Sequence, residues 1–188
     1  MKAISNPHHL ILGTLNDFLT GIEMTDTHDE RHRQKIAEKL ILEKGYDRAD
    51  IEVNTGIEIS IGGKKAGIKI DFLIHHRHKT VGLIRYALGS IVTRRLSTLA
   101  LSRIIRPYQI PLIVITNGED AEIMEGDSGK VTASGLDKIP NKDSVIRNYD
   151  SFSFRPIQAG IFDQASKIVF AFEVDDACPC DSDICILE

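Results

Sequence analysis

The sequence predicts an α/β protein: a three-layer α/β/α core with a mixed central sheet, plus a further helix near the C-terminal end. Three observations carry this. Helical periodicity occurs over residues 27–44, 92–106 and 157–174. Period-two alternation marks a block of strands between 51 and 87. The run PLIVIT at 111–116 is apolar almost throughout, as in a strand covered on both faces. Helices before, between and after such strands bury their apolar faces by layering on the sheet.

Residues 8–25 (HHLILGTLNDFLTGIEMT) are punctuated by Gly13 and Thr20-Gly21, which predicts short extended pieces or one helical turn. The first long helix spans 27–44. Asp26 or Thr27 can cap it, Asp29 and Glu30 suit its first turn, and Gly45 suits a left-handed stop. Its apolar stripe is Ile36, Ala37, Leu40 and Ile41. Continued backwards by helical spacing, that stripe meets Glu30, Arg33 and Gln34, so one face is apolar at one end and polar at the other.

Strands follow at 51–54 and 57–61, then a Gly62-Gly63 turn. The longest strand is expected over 66–75, with Ile68, Ile70, Phe72 and Ile74 on one face and Lys69, Asp71 and Leu73 on the other. After the polar loop HHRHKT, residues 81–87 place Val81, Leu83, Arg85 and Ala87 on a shared face. Short loops make these strands an antiparallel meander. The helix over 92–106 turns Leu96, Leu99, Ala100 and Ile104 inward and stops before Pro107. Strand 111–116, the Asn117-Gly118 turn and strand 121–125 come next. GDSGKV (126–131) has the wrong spacing for a phosphate loop and is expected to turn. The main domain is assigned to 1–140. A surface linker is assigned to 141–156, a helix packed on the same domain to 157–175, and a Cys/Asp-rich tail to 176–188.

Composition bounds the function. With 42% hydrophobic and 27% charged residues, the 188-residue chain can bury a sizeable core. A net charge of −4 argues against a globally basic nucleic-acid binder, while a local basic patch stays open. No apolar run approaches the roughly 18 residues of a membrane span, and MKAISNPHHLILG lacks the pattern of a signal peptide. Cysteines occur only at Cys178, Cys180 and Cys185, which is no disulfide framework. The chain is therefore expected in the cytoplasm with reduced thiols, without a membrane partner. His8-His9 and the pair His28/His32 are expected at the surface, and the three cysteines as thiols rather than zinc ligands.

Arg85 poses the chemical question, because a charge on an apolar strand costs free energy unless it is paired or reaches water. Glu30 lies on the inward stripe of the first helix, Asp71 on one strand, and Leu83 and Arg85 on the next. ERHRQKIAEKLILEKGY (30–46), IKIDFLI (68–74) and PLIVITNGEDAEIM (111–124) together resemble the N-terminal domain family of type I restriction enzyme R proteins. That family is part of the PD-(D/E)xK nuclease superfamily, and the resemblance covers about residues 26–140. It implies a restriction-endonuclease-like core in a stand-alone protein. It also implies a catalytic set of Glu30, Asp71 and Arg85, with Glu30 and Asp71 as ligands of Mg²⁺ if the site is active. Arg33, Gln34, Arg77, Lys79 and Arg95 are the residues expected to contact nucleic acid.

The departure falls on the family's Glu-x-Lys, which here reads Leu83-Ile84-Arg85. Leucine cannot hold a metal, and arginine keeps a charge but does not titrate near neutrality. Glu58 or Lys69 could supply the lost groups. The alternative is an ion network in which Arg85 pairs with Asp71 and Glu30. The resemblance therefore implies an impaired nuclease domain that binds DNA or a protein partner. An active Mg²⁺-dependent endonuclease with a rearranged site and a protein-interaction module remain the alternatives.

Overall fold

The strand expected over residues 66–75 is interrupted at Asp71, and that break divides the strands between two sheets. The structure, a computed structural model, describes residues 11–175 and 184–187. β1 (Gly13–Asn16) and β2 (Glu23–Asp26) form a hairpin that leads into α1 (His28–Leu42). Then come β3 (Ile51–Glu52), β4 (Thr55–Ile61), β5 (Lys64–Ile70), β6 (Phe72–His76) and β7 (Lys79–Tyr86). α2 (Ile91–Leu101) connects to β8 (Leu112–Thr116), β9 (Ala121–Glu125) and β10 (Val131–Ser134). α3 (Lys142–Asn148), α4 (Ala159–Phe170) and β11 (Ile184–Leu187) complete the described chain.

The main sheet has six strands in the order β10-β9-β8-β7-β6-β3. It is mixed because β7 and β8 run parallel while its other pairs are antiparallel. A parallel pair needs a long crossover, and α2 supplies it. The smaller sheet, β11-β5-β4, is antiparallel. α1 covers one face of the main sheet, packing Ile36, Ala37 and Leu40 with Phe72, Ile74, Ile84 and Val114. α2 and α4 cover the other, packing Ala100, Leu101, Val169 and Phe170 with Leu73 and Leu83. The three-layer α/β/α arrangement is the one the sequence predicts.

Local chemistry explains the ends of α1. The Thr27 side chain accepts from the Glu30 N–H at 3.1 Å, capping the first turn. Gly45 takes φ +72°, and the Tyr46 N–H donates back to the Leu40 carbonyl.

Several expectations are corrected. Ile68 and Ile70 pack toward α2 and α4, whereas Phe72 and Ile74 pack toward α1. One unbroken strand would put all four on one face, so the chain changes both sheet and phase at Asp71. The expected meander is thus split. The register also shifts between Ile74 and His75, and Val81 packs on the α1 side, away from Leu83. α2 ends at Leu101 rather than 106, and Leu96 is half exposed. The buried stripe runs instead through Ser97, Thr98, Ala100 and Leu101. Within 141–156, expected as a linker, α3 forms. Its cap is the Asn141 side chain, which accepts from the Ser144 N–H at 2.8 Å, and Val145 is buried in the α1-side cluster. β10 was not expected.

Candidate functional site

Asp71 sits at the break between the sheets, where it can be reached from both faces. Its side chain is 1% exposed. One carboxylate oxygen, Oδ2, accepts the Tyr86 backbone N–H at 3.0 Å, across the β6–β7 pairing. The other, Oδ1, accepts from Arg33 Nε at 2.7 Å, reaching down from α1. Arg85 Nη1 stands 3.4 Å from Oδ2 and donates to the Lys69 carbonyl at 2.6 Å. Arg85 Nη2 donates to Glu173 Oε2 at 3.0 Å, in the widened helical turn after α4. Glu173 is itself buried, and Arg94 approaches its other oxygen at 4.0 Å.

On the α1 side, Arg33 Nη1 lies 3.6 Å from Glu30 Oε2. The Arg33 guanidinium also lies 5.4 Å above the Tyr86 ring. Gln34 Nε2 donates to Glu30 Oε1 at 2.7 Å and to Asp17 Oδ2 at 3.0 Å, while Gln34 Oε1 accepts the Phe18 N–H at 2.6 Å. Burial raises the Asp17 carboxyl pKa, but hydrogen bonds from Gln34, Thr20 and Leu19 outweigh it and hold the group below the usual range. Burial, then the nearby Asp29 carboxylate, pushes the Tyr86 phenol upward. The result is one continuous ion network: Glu30–Arg33–Asp71–Arg85–Glu173.

Residues 28–140, more than half of the chain, match the family model described as type I restriction enzyme R protein N terminus (HSDR_N). The chain belongs to that family. Neither a search of curated proteins nor one of solved structures returns a match.

Restriction nuclease sites of this kind hold a divalent metal on converging carboxylates, and the donor set here does not fit one. Glu30 and Asp71 do approach each other, but the Arg33 guanidinium bridges them. Leu83, which the resemblance sets at the family's glutamate position, pairs with Leu73 and is fully buried in the apolar cluster under α2 and α4. Among the described residues, no group of three His, Cys, Asp or Glu is placed to hold a metal. Glu58 does not supply the missing acid: it is exposed on β4, 3.3 Å from Lys65. Lys69 offers its backbone carbonyl to Arg85.

The bridge between Glu30 and Asp71 is therefore Arg33, where the sequence pointed to Arg85. Of the other residues expected to contact nucleic acid, Gln34 is engaged with Glu30 and Asp17. Arg95 grips Glu122 with two nitrogens, which lowers the Glu122 pKa. Arg77 and Lys79 lie at the far end of the β6–β7 hairpin, roughly 20 Å from Arg85 at ~3.3 Å per strand residue. Arg103 donates to Gln109, and Arg106 donates to Thr80 and Glu52. His32 stacks on Tyr86. His8, His9, Cys178 and Cys180 lie outside the described residues.

Glu173 was missed by the sequence reading. Its one signal is an acid within the apolar run IVFAFEV, four residues after buried Val169.

Proposed function

We propose that this chain is a restriction-type nuclease module that holds nucleic acid without hydrolysing it efficiently, with Glu30, Asp71 and Arg85 as a structural remnant of the catalytic set. The single observation that supports the reading is the guanidinium bridge: Arg33 spans Glu30 and Asp71 where a metal would need both carboxylates. Phosphodiester hydrolysis in such a site depends on a metal ion to neutralise the phosphate and generate the attacking hydroxide. With Leu83 in place of a carboxylate and Arg85 in place of a lysine, the residues here bind one another instead. Arginine retains its charge at all working pH values, so Arg85 offers no group that titrates near neutrality.

The test is incubation of purified protein with supercoiled plasmid in Mg²⁺ or Mn²⁺, beside a mobility-shift titration at several salt concentrations. The reading expects no nicking and a shift that weakens as salt rises. Cleavage that Asp71→Ala abolishes would refute it in favour of an active endonuclease. Absence of any salt-dependent shift would favour a protein-interaction module. No described helix is long and apolar enough to cross a membrane. The reading places the module in the cytoplasm, where its thiols stay reduced.

A further inference from the structure

The turn joining β6 to β7 is built against its backbone preference. His76 pairs with Lys79, so Arg77 and His78 form a two-residue loop, with φ of 46° and 62°. Both angles lie in the left-handed region, where such hairpins favour Asn-Gly. Histidine is tolerated there better than arginine, which is uncommon. Non-glycine residues held in that region cluster at functional sites.

The loop stands over a group of aromatic rings. Tyr149 meets His76 edge-on at 5.0 Å and Phe154 at 5.7 Å, and Phe154 meets Tyr108 at 5.4 Å. The Arg77 guanidinium lies 5.0 Å over Tyr149. The Lys79 ammonium lies 4.5 Å from the Tyr108 ring centre and 5.7 Å from that of Phe154. Asp150, 3.4 Å from Arg77, has a side chain 91% exposed, so water screens that pair.

Capping the core explains the rings, since Tyr149 and Phe154 pack against the α1-side cluster. It does not explain the two cations laid over them, nor an arginine held at positive φ where Asn-Gly would close the same turn. We infer that this face is a platform for single-stranded nucleic acid. Arg77 and Lys79 meet phosphates, and unpaired bases stack on the outer face of the Arg77 guanidinium and on the neighbouring rings. Aromatic and guanidinium planes can receive only bases that are not already stacked in a duplex. The inference rests on the reading that the module holds nucleic acid, and it adds the place and the strand class.

Fluorescence anisotropy in EDTA tests it, with a labelled oligothymidine and a duplex of equal length. The oligothymidine is expected to bind more tightly than the duplex, with an affinity that falls as salt rises. Arg77→Asn/His78→Gly keeps the hairpin in its preferred turn, so its melting temperature is expected to hold or rise. Its oligothymidine affinity is expected to fall by about tenfold or more, the scale of one lost stacking contact. Unchanged affinity in that variant, or tighter binding of the duplex by wild type, overturns the platform while leaving the parent reading standing. Wild type that binds neither oligonucleotide overturns both. Metal-dependent plasmid cleavage overturns the parent reading alone.

Discussion

Replacing Asp71 by asparagine separates a structural ion network from a metal site by the sign of its effect. The carboxylate has three partners: Arg33 Nε at 2.7 Å, the Tyr86 N–H at 3.0 Å and Arg85 Nη1 at 3.4 Å. An amide keeps one acceptor oxygen. If that oxygen faces Arg33, its NH₂ group is forced against the Tyr86 N–H, donor to donor. Both ion pairs are lost, although Arg33 keeps Glu30 and Arg85 keeps Glu173. Breaking a buried pair from one side costs about 3–5 kcal/mol. The remaining partners place this case near the lower bound, about 3 kcal/mol. At ~2–4 °C per kcal/mol for a chain of this size, the melting temperature should fall by roughly 6–12 °C. The assay is a thermal melt of wild type and Asp71→Asn in EDTA. Carboxylates gathered to await a metal repel one another, and neutralising one of them stabilises the protein. A melting temperature that stays level or rises would therefore refute the network reading.

Three further outcomes are expected. A double-mutant cycle of Arg85→Met and Glu173→Leu, read by urea unfolding, should return a coupling of about 1–3 kcal/mol, and a value near zero would show that the C-terminal acid is incidental. Leu83→Glu/Arg85→Lys writes in the Glu-x-Lys that the resemblance expects there, yet should yield no Mg²⁺-dependent plasmid cleavage. It should also lose several kcal/mol of stability, about 2–5, because the new carboxylate enters the apolar cluster around Leu73 and Leu101. The Asp17 carboxyl has a folded pKa below its unfolded value of about 4, so its contribution is fully present above that pH and is lost as pH falls through the folded pKa. Asp17→Asn should accordingly flatten the loss of stability as pH falls below about 4 in urea titrations, and an unaltered acid limb would contradict it.

What the sequence made legible was local or depended on a single strand pairing. The amphipathic face of α1 carries Glu30 and Arg33 on the side of Ile36 and Leu40 because helical spacing alone fixes it. The match of Asp71 to the Leu83–Arg85 strand needed only one hairpin, and Leu73 does pair with Leu83. The break at Asp71 was hidden because apolar alternation continues smoothly from Ile68 to Ile74, and nothing in that pattern marks a change of sheet. Leu96 misled for a related reason: apolar character ranked it above Ser97, although Ser97 is the buried residue. The inward turn of Arg33 was also out of reach. An arginine at the polar end of a helix face reads identically whether it meets solvent, phosphate or a buried aspartate. Glu173 lies 88 residues from Arg85, so their contact is a property of how α4 docks rather than of either segment.

That docking bears on how the charged groups around Asp71 are held as a network. Around Asp71, contacts among the described side chains join the carboxylates of Glu30, Asp71 and Glu173 to the guanidinium groups of Arg33, Arg85 and Arg94. A site that binds a divalent cation carries excess negative charge, which the ion then neutralises. Here guanidinium groups already occupy these carboxylates, so a divalent ion on Glu30 and Asp71 would have to displace Arg33 from a buried position. A single substitution does not undo that. Arg85→Lys alone leaves Arg33 across Glu30 and Asp71, and Arg33→Ala alone leaves Leu83 where a ligand is needed. The network is thus distributed over α1, β7 and the turn after α4.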